Sequence, residues 1–213
     1  GVGTLLVGAY SGRDVILIEL NPVFVATIRA NIHKAQDWQR FGTLVGIHES
    51  PCQVTLAALE SNSVQAIITS PPYAGAFTKG SHNFKVQSES ERVYHESMVT
   101  YADDSQKKGN LASYNLATMS NFMFNKEMEK IYALSYNVIK PGGYFALIIK
   151  DRIKGGIREE LGLKSVQMLY QAGFSMDRWE RWEPPGTRFK AQAHKKGQAW
   201  VDEEQLIIMR KPS

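Results

Sequence analysis

The most informative short motif of the sequence is Ser70-Pro71-Pro72-Tyr73, which directly follows the apolar run Val64–Thr69. Two consecutive prolines cannot continue a central strand, because they lack N–H donors and hold the backbone extended. A row of acceptors remains, formed by the serine hydroxyl and the carbonyl oxygens. Such a row can accept the two N–H bonds of the exocyclic amino group of a flipped base, while the tyrosine stacks on its ring. The alternative is a proline-stiffened turn with a packing tyrosine.

Three further segments carry residues that suit a nucleotide-like ligand. Gly1-Val2-Gly3-Thr4 precedes a predicted helix and lets the backbone approach a carboxylate or phosphate, although a plain turn also explains it. Glu19 ends the next strand, within roughly the 20-residue spacing at which an acidic residue takes ribose hydroxyls. Its alternative is a charge at a helix start, near Asn21. Glu49-Ser50 ends a later strand and can meet an adenine amino group or form only a turn.

Basic residues cluster in two regions. The polar stretch 74–125 lacks strong periodicity, and connections of this length are more often functional or mobile than neutral. Near the C-terminus, basic residues interleave with Trp179, Trp182 and Phe189, which suits phosphate contact combined with base stacking. A solvated hairpin with its tryptophans in the core is the alternative. The basic residues are Lys79, His82, Lys85, Arg92, Lys107 and Lys108 in the first region, and Arg178, Arg181, Arg188, Lys190, Lys195 and Lys196 in the second.

Several other motifs have weaker functional interpretations. Pro51-Cys52-Gln53 is similar to the nucleophile loop of cytosine-C5 methyltransferases, but it follows the wrong strand and no Glu-Asn-Val partner is found. Cys52 is therefore predicted to be a half-buried small residue. The histidines are scattered and there is a single cysteine, so no metal site is expected. Lys150-Asp151 ends a predicted strand and can line a pocket or form a surface salt bridge.

Hydrophobic patterning predicts the elements that must position these residues. Continuous apolar runs predict strands that are buried on both faces, and apolar residues at helical spacing predict the helices between them. Lys140-Pro141-Gly142-Gly143 is typical of a turn that ends a helix. The predicted strands are Val15–Glu19, Thr43–Ile47, Val64–Thr69, Tyr144–Lys150, Phe174–Glu183 and Gln205–Arg210; the predicted helices run from Asn21-Pro22 to about Arg40, and over Gln53–Leu59, Asn125–Val138 and Ile157–Gln171.

This alternation predicts a three-layer α/β/α domain with a mostly parallel sheet and an antiparallel C-terminal strand. Ligands of such sheets bind at the carboxyl ends of the strands. The chain has 213 residues, the size of a single domain spanning 1–213, and its 43% hydrophobic and 22% charged residues are close to globular averages. No apolar run approaches the roughly 20 residues that cross a bilayer. A cytoplasmic protein without a membrane partner is expected, and the net charge of +4 permits a polyanionic partner.

Taken in order, these motifs resemble the amino-group DNA methyltransferases that use S-adenosylmethionine, the N4-cytosine and N6-adenine class. GVGT is similar to the end of that family's glycine loop, IELNP to its ribose-binding acidic motif and TSPPY to its catalytic motif. VIKPGGYFALIIKD and EEQLIIMRKP resemble later segments, so that the resemblance covers nearly the whole chain. The serine that begins the catalytic motif resembles the cytosine-N4 members, whereas Asn or Asp is usual in adenine-N6 members.

The resemblance implies a Rossmann-like class I methyltransferase fold, S-adenosylmethionine as cofactor and DNA as substrate. It implies that Ser70 and Pro71 bind the target amine, with Pro72 and Tyr73 completing the catalytic loop. The implied cofactor residues are Gly1, Gly3, Thr4, Glu19, Leu20, Glu49 and Ser50; the implied nucleic-acid contacts are Lys79, Lys85, Arg178, Arg181, Arg188 and Lys190. No metal is required.

The sequence departs from the family pattern in two ways. The Asp-Pro-aromatic step that begins the family's motif is not found, so we expect an N-terminally truncated chain or one whose first strand comes from a partner, which leaves a homodimer open. A separate target-recognition domain is also missing, and the stretch 74–125 is the candidate for that role. An RNA amino-methyltransferase and an inactive nucleic-acid-binding subunit remain alternative functions.

Overall fold

The computed structural model describes residues 12–36, 44–72, 74, 114–183, 195, 197 and 200–213. The chain divides into two compact units, the first comprising Gly1–Ala58 and Pro72–Glu127 and the second Leu59–Pro71 and Met128–Ser213. The prediction of one domain over 1–213 stays a prediction. No helix in the described part of the chain is long and apolar enough to cross a membrane.

The first unit contains a parallel two-stranded sheet and the helices that follow its strands. Strand β1 pairs with β2 so that Glu19 is the register partner of Glu49. Helix α1 begins as predicted, because the side-chain oxygen of Asn21 accepts a hydrogen bond of 2.9 Å from the N–H of Val23. The elements are β1 (Val15–Glu19), α1 (Pro22–Gln36), β2 (Leu44–Glu49) and α2 (Cys52–Ala58).

The second unit is built on a mixed four-stranded sheet in the order β3-β4-β8-β7. Strand β3 is parallel to β4, whereas β8 is antiparallel to both β4 and β7, as predicted for the C-terminal strands. Helix α3 links the two units along the chain. The elements are β3 (Val64–Thr69), α3 (Asn121–Val138), β4 (Ile139–Ile149), β5 (Arg152–Lys154), β6 (Ile157–Glu159), α4 (Leu161–Gln171), β7 (Ser175–Trp182) and β8 (Glu204–Arg210). A 3-10 turn at Leu116–Thr118, in the part of the chain assigned to the first unit, precedes α3.

One face of this sheet forms the core of the second unit. Phe145 is fully buried and contacts the ring of Tyr132 from α3 edge-on, with the ring centroids 5.5 Å apart. Phe174, which precedes β7, packs against Phe145 and against Tyr136 with centroid distances of 5.6 and 5.1 Å. The alternating buried residues of β4 and β8 therefore face the two helices, in agreement with the strand period of two.

The starts of α3 and β4 differ from the sequence-based predictions. Helix α3 begins at Asn121 rather than at Asn125, so that the non-helical stretch ends earlier. Strand β4 begins at Ile139, and Lys140–Gly143 lies inside it as an irregularity: Val64 pairs with Ile139, but Ala66 pairs with Tyr144. Gly142 has φ +75, so the turn-like backbone expected here is present within the strand.

The prediction of a helix over Ile157–Gln171 is wrong at its start. Residues Arg152–Lys154 and Ile157–Glu159 form an antiparallel hairpin, and the helix begins at Leu161. Gly155 and Gly156 have φ +58 and +78, the left-handed values required at both positions of a type I′ hairpin turn. Ion pairs rather than apolar burial hold this hairpin, which explains why apolar spacing did not reveal it.

The C-terminal end of α3 is capped by a lysine from the end of the chain. The ammonium of Lys211 donates hydrogen bonds to the carbonyl oxygens of Tyr136 and Ile139 and to the side-chain oxygen of Asn62, at 2.7, 2.9 and 2.8 Å. It also lies 4.5 Å from the centroid of the Tyr136 ring. A cation at this position satisfies carbonyls that the helix leaves unpaired and complements the helix dipole.

Candidate functional site

Ser70-Pro71-Pro72 lies at the carboxyl end of β3, where the sequence predicts it. Thr69, the last residue of β3, is paired with Leu147 of the parallel neighbour β4. Ser70 and Pro72 are exposed and Pro71 is half-buried. The Ser70 hydroxyl makes no hydrogen bond with any residue that the structure describes. The strand end therefore presents acceptor oxygens and has no N–H at the two prolines.

Glu19 ends β1 and has one of its carboxylate oxygens engaged locally. Its Oε1 accepts a hydrogen bond of 2.9 Å from the N–H of Asn21, which is the contact expected of a charge at a helix start. A carboxylate has about four acceptor positions, so this contact does not exhaust the group. Glu19 and Leu20 are both half-buried, and the Asn21 side chain is 3% exposed with its amide nitrogen unpaired among the described residues.

Glu49 and Ser50 have different environments at the end of β2. Glu49 is exposed, whereas Ser50 is half-buried and its hydroxyl is hydrogen-bonded to the hydroxyl of Thr55. The N–H of Ser50 donates to the carbonyl of Glu19 at 3.2 Å. The local contacts of Ser50 are thus those of the plain turn that the sequence left open, and they tie the end of β2 to the end of β1.

Cys52 has the environment of a structural residue. Burial is the largest influence and raises the pKa of its thiol to about 11. The thiol donates to the side-chain oxygen of Gln53 at 3.4 Å, and the Gln53 amide in turn donates to Glu127 at 3.2 Å. Because the thiolate is the nucleophile and the pKa lies far above neutrality, these contacts support the interpretation of Cys52 as a half-buried, unreactive residue.

Lys150 and Asp151, at the end of β4, have different environments. Asp151 is 5% exposed and accepts two hydrogen bonds from Arg158, at 3.0 and 2.8 Å, and one of 3.1 Å from the N–H of Gly162. It anchors the hairpin and the start of α4. The interpretation of Lys150-Asp151 as a surface salt-bridging pair is therefore wrong, because Asp151 is buried and its partner is Arg158. Lys150 is half-buried, and its ammonium lies 5.2 Å from the centroid of the Trp200 ring.

The predicted nucleic-acid contacts on β7 are exposed. Arg178 pairs with Glu180 at 3.2 Å, and both side chains are more than half exposed, so this pair contributes little to stability. Trp179 donates its indole N–H to Gln205 at 3.0 Å. Trp182 is 59% exposed, which argues against the alternative that places the tryptophans in the core. Arg181, the register partner of Gln205, lies level with the end of β4.

Several predicted site residues lie outside the described residues, and their roles stay predictions: Gly1, Gly3, Thr4, Tyr73, Lys79, Lys85, Arg188 and Lys190. Among the residues that the structure describes, no group of three or more histidine, cysteine, aspartate or glutamate side chains is arranged to hold a metal ion.

Comparison with solved structures shows which fold the chain has. The fold matches that of an S-adenosylmethionine-dependent methyltransferase from Methanosarcina mazei with a TM-score of 0.55, at 13% identity, over 100% of this chain and 89% of that chain. The chain shares this Rossmann-like fold. It also matches the 4+2 cyclase SpnF with a TM-score of 0.56, at 15% identity, over 100% of this chain and 72% of that chain. Since one fold hosts different chemistries, the function must be argued from the site.

A weaker likeness connects the chain to a protein of Thermus thermophilus that is described as a candidate DNA modification methylase. The TM-score is 0.46 at 16% identity, over 77% of this chain and 52% of that chain, so the chain spans about half the length of that protein. No protein-family model matches the sequence, and no curated protein matches it.

Trp200 is a residue at the carboxyl edge that sequence reasoning missed. It precedes β8, and because β8 is antiparallel to β4, the start of β8 lies beside the end of β4. The signal was present: the prediction of an antiparallel last strand already places the residues before it at the edge where β3 and β4 end.

Proposed function

We propose that this chain transfers a methyl group from S-adenosylmethionine to the exocyclic amino group of a DNA base, with cytosine N4 as the target. The observation that carries this proposal is the position of Ser70-Pro71-Pro72 directly after a parallel strand, in a fold shared with a methyltransferase. The exposed serine hydroxyl and the acceptor-rich backbone suit an amine that must be held by its two N–H bonds. The serine at the first position favours cytosine N4 through the resemblance noted above.

In this proposal the residues of the chain bind and orient the reacting groups. S-adenosylmethionine supplies a methyl group on a sulfonium sulfur, which is electrophilic without help from a metal. Ser70 Oγ and the carbonyl oxygen of Pro71 accept the two amine hydrogens and draw the nitrogen lone pair out of conjugation with the ring. That lone pair would form the new N–C bond as the S–C bond breaks, the cofactor would leave as the neutral thioether, and the extra proton on the nitrogen would pass to water. Positioning and electrostatics therefore account for catalysis.

The cofactor residues of the first unit follow from the same proposal. Glu19 accepts ribose hydroxyls with the carboxylate capacity that its contact to Asn21 leaves over. Leu20 packs against the cofactor, Glu49 lies near its adenine, and Ser50 contributes to that part of the site mainly by shaping the turn. Gly1, Gly3 and Thr4 approach its methionine end, and Tyr73 stacks on the target base.

The basic residues supply the contacts to the nucleic-acid backbone. Arg178 and Arg181, both exposed on β7, are proposed phosphate contacts together with Lys79, Lys85, Arg188 and Lys190. Their contribution is sequence-independent, so their loss lowers DNA affinity without changing which base is modified.

Cofactor binding tests the first half of the proposal. Glu19→Gln keeps the acceptor oxygen that Asn21 uses but removes the charge, so S-adenosylmethionine affinity by calorimetry should fall by about tenfold or more, the value of a charge-assisted hydrogen bond. Asp14→Asn is the matched control, since Asp14 is an exposed carboxylate before the opposite end of the same strand. Equal affinities for the wild type and Glu19→Gln would refute the assigned ribose contact.

Methyl transfer tests the second half. Isotope-labelled methyl groups from S-adenosylmethionine should accumulate in DNA that contains cytosine and should be absent from DNA that contains no cytosine. Label in cytosine-free DNA would redirect the proposal to adenine N6, and label only in RNA would replace DNA as the substrate.

A further inference from the structure

Trp200 and Lys150 form a cation–aromatic pair at the surface of the second unit. The Lys150 ammonium lies over one face of the indole, 5.2 Å from the ring centroid, and Trp200 remains 38% exposed. Lys150 makes no ion pair with any described residue, and its neighbour Asp151 is engaged by Arg158. The pair therefore combines an aromatic ring in contact with a cation and a positive charge that no described carboxylate pairs with.

The pair lies at the same edge of the sheet as Ser70-Pro71-Pro72, which we call the acceptor motif. Ser70 follows Thr69, the partner of Leu147, and Lys150 is only three residues beyond Leu147, about 10 Å along the strand. Trp200 comes shortly before β8, whose residue Gln205 pairs with Ile149 at the end of β4. Strand direction thus brings the serine, the lysine and the tryptophan to one edge.

A second exposed indole lies at the same edge. Trp182, the last residue of β7, is the register partner of Glu204 at the start of β8 and is 59% exposed. Two exposed tryptophans and a lysine at one sheet edge suit a ligand that offers flat rings along a negatively charged backbone. Single-stranded nucleic acid has this chemistry, since its bases stack on aromatic side chains and its phosphates attract cations.

We infer that Trp200, held by Lys150, is a stacking platform for a base of the DNA strand that carries the target base. This inference rests on the proposed function and adds a binding residue to it. The ammonium over one face of the indole fixes the ring, and the exposed remainder of the indole receives the base. Lys150 at the same time contributes positive charge toward the adjacent phosphate.

The same sheet provides a matched control farther from its carboxyl edge. Arg210 lies over the ring of Tyr144 at 5.9 Å from the centroid, and Tyr144 is 37% exposed, nearly the same fraction as Trp200. Tyr144 pairs with Arg210 at the middle of β4, and its partner on β3, Ala66, lies four residues before Ser70. If exposure and a nearby cation alone determined DNA binding, the two aromatic residues would be equivalent.

Fluorescence anisotropy of a labelled single-stranded DNA oligonucleotide, without cofactor, tests the platform. Trp200→Ala should raise Kd by about tenfold, the value of one base–aromatic stack, whereas Trp200→Phe and the control Tyr144→Ala should stay within about twofold of the wild type. Thermal unfolding verifies that each variant is folded; if Trp200→Ala is not, Trp200→Leu, which keeps apolar bulk without an aromatic face, carries the test.

The outcomes separate this inference from the proposed function. DNA binding that depends on Trp200 without any methyl transfer would support the platform and refute the enzyme activity. Methyl transfer with wild-type DNA affinity in Trp200→Ala would overturn the platform and leave the activity standing. The platform is also overturned if the wild type does not bind the oligonucleotide, if Tyr144→Ala loses as much affinity, or if only an RNA oligonucleotide shows the dependence on Trp200.

Discussion

The two ends of strand β4 are held in different ways. At the amino end, the Lys211 ammonium makes three hydrogen bonds and closes the end of α3, so its donors are fully used. At the carboxyl end, Asp151 anchors the hairpin, whereas the exposed Ser70 hydroxyl makes no hydrogen bond with a described residue and half-buried Lys150 lies over the exposed ring of Trp200. The polar groups of the amino end are used within the fold, whereas the proposed function assigns those of the carboxyl end to a ligand.

The largest effect is expected from a substitution at the carboxyl end, at Ser70. Ser70→Ala removes one of the two proposed acceptors of the target amine, so methyl transfer should fall by about 100-fold or more, as when one preorganised polar group is lost from an active site. Because Ser70 is exposed, the melting temperature should not change. Transfer rates and thermal unfolding of the same preparation give both values.

The matched control for this prediction is Ser63, at the other end of β3. Ser63 is also exposed and precedes β3, where its hydroxyl donates to the carbonyl of Glu60 at 2.7 Å. Ser63→Ala should keep the wild-type transfer rate. Wild-type transfer by Ser70→Ala would refute the assignment of the acceptor motif.

The next largest effect is expected from a substitution at the amino end of β4, at Lys211. Lys211→Met keeps the aliphatic stem but removes the ammonium that caps α3, and the free energy of unfolding should fall by about 1.5–3 kcal/mol, the range for hydrogen bonds to a charged group. Lys140→Met, an exposed lysine of the neighbouring segment, should change it by less than about 0.5 kcal/mol. Denaturant unfolding measures both, and equal stabilities of the two variants would show that the cap contributes nothing.

The smallest expected effect is the pH dependence of the hairpin 152–159, which follows the carboxyl end of β4. The hydrogen bond from Arg152 to Glu159, at 2.5 Å, lowers the pKa of that carboxyl below its ordinary 4.5, and a contact to Arg158 does the same for the pKa of Glu203. A lowered folded-state pKa stabilises above the unfolded-state value and loses this effect as pH falls through the folded-state value. The hairpin should therefore loosen only below about pH 4.5.

Amide exchange of residues 152–159 against pH measures this loosening. Glu159→Gln should loosen the hairpin already at neutral pH and reduce the pH dependence, whereas Glu160→Gln, an exposed neighbour, should leave both unchanged. An acid-insensitive hairpin in the wild type would mean that the two ion pairs do not hold it.

The sequence was sufficient to predict elements whose signal lies in consecutive residues. Strands β1 and β3 were predicted with their observed bounds, because each is an apolar-rich run ended by a proline-containing turn. The prediction that they are buried on both faces is wrong, since β1 is half-buried and Ile68 of β3 is 56% exposed. Ser70-Pro71-Pro72 was placed at the end of β3 because it consists of consecutive residues, and its role stays a prediction. The antiparallel C-terminal strands were also predicted and confirmed.

Long-range polar contacts were beyond prediction. The spacing of Ile157 with the following apolar residues is helical, and only the pairing of Arg158 with Asp151 reveals a hairpin there. Nothing near Lys211 in the sequence indicates that its ammonium reaches Tyr136 and Asn62. The predicted direction of β8 already places the residues before it at the carboxyl edge, but the contact between Trp200 and Lys150 was not predictable. These contacts depend on tertiary structure, which apolar periodicity does not encode.

Nucleoside mass spectrometry tests the central claim most directly. The protein is incubated with S-adenosylmethionine and unmethylated DNA, with RNA in parallel, and the digested nucleosides are analysed beside the same reaction with Ser70→Ala. The account predicts N4-methylcytosine from DNA with the wild type and its near-complete loss in the variant. No methylated nucleoside from DNA, or an equal yield from the variant, would contradict it.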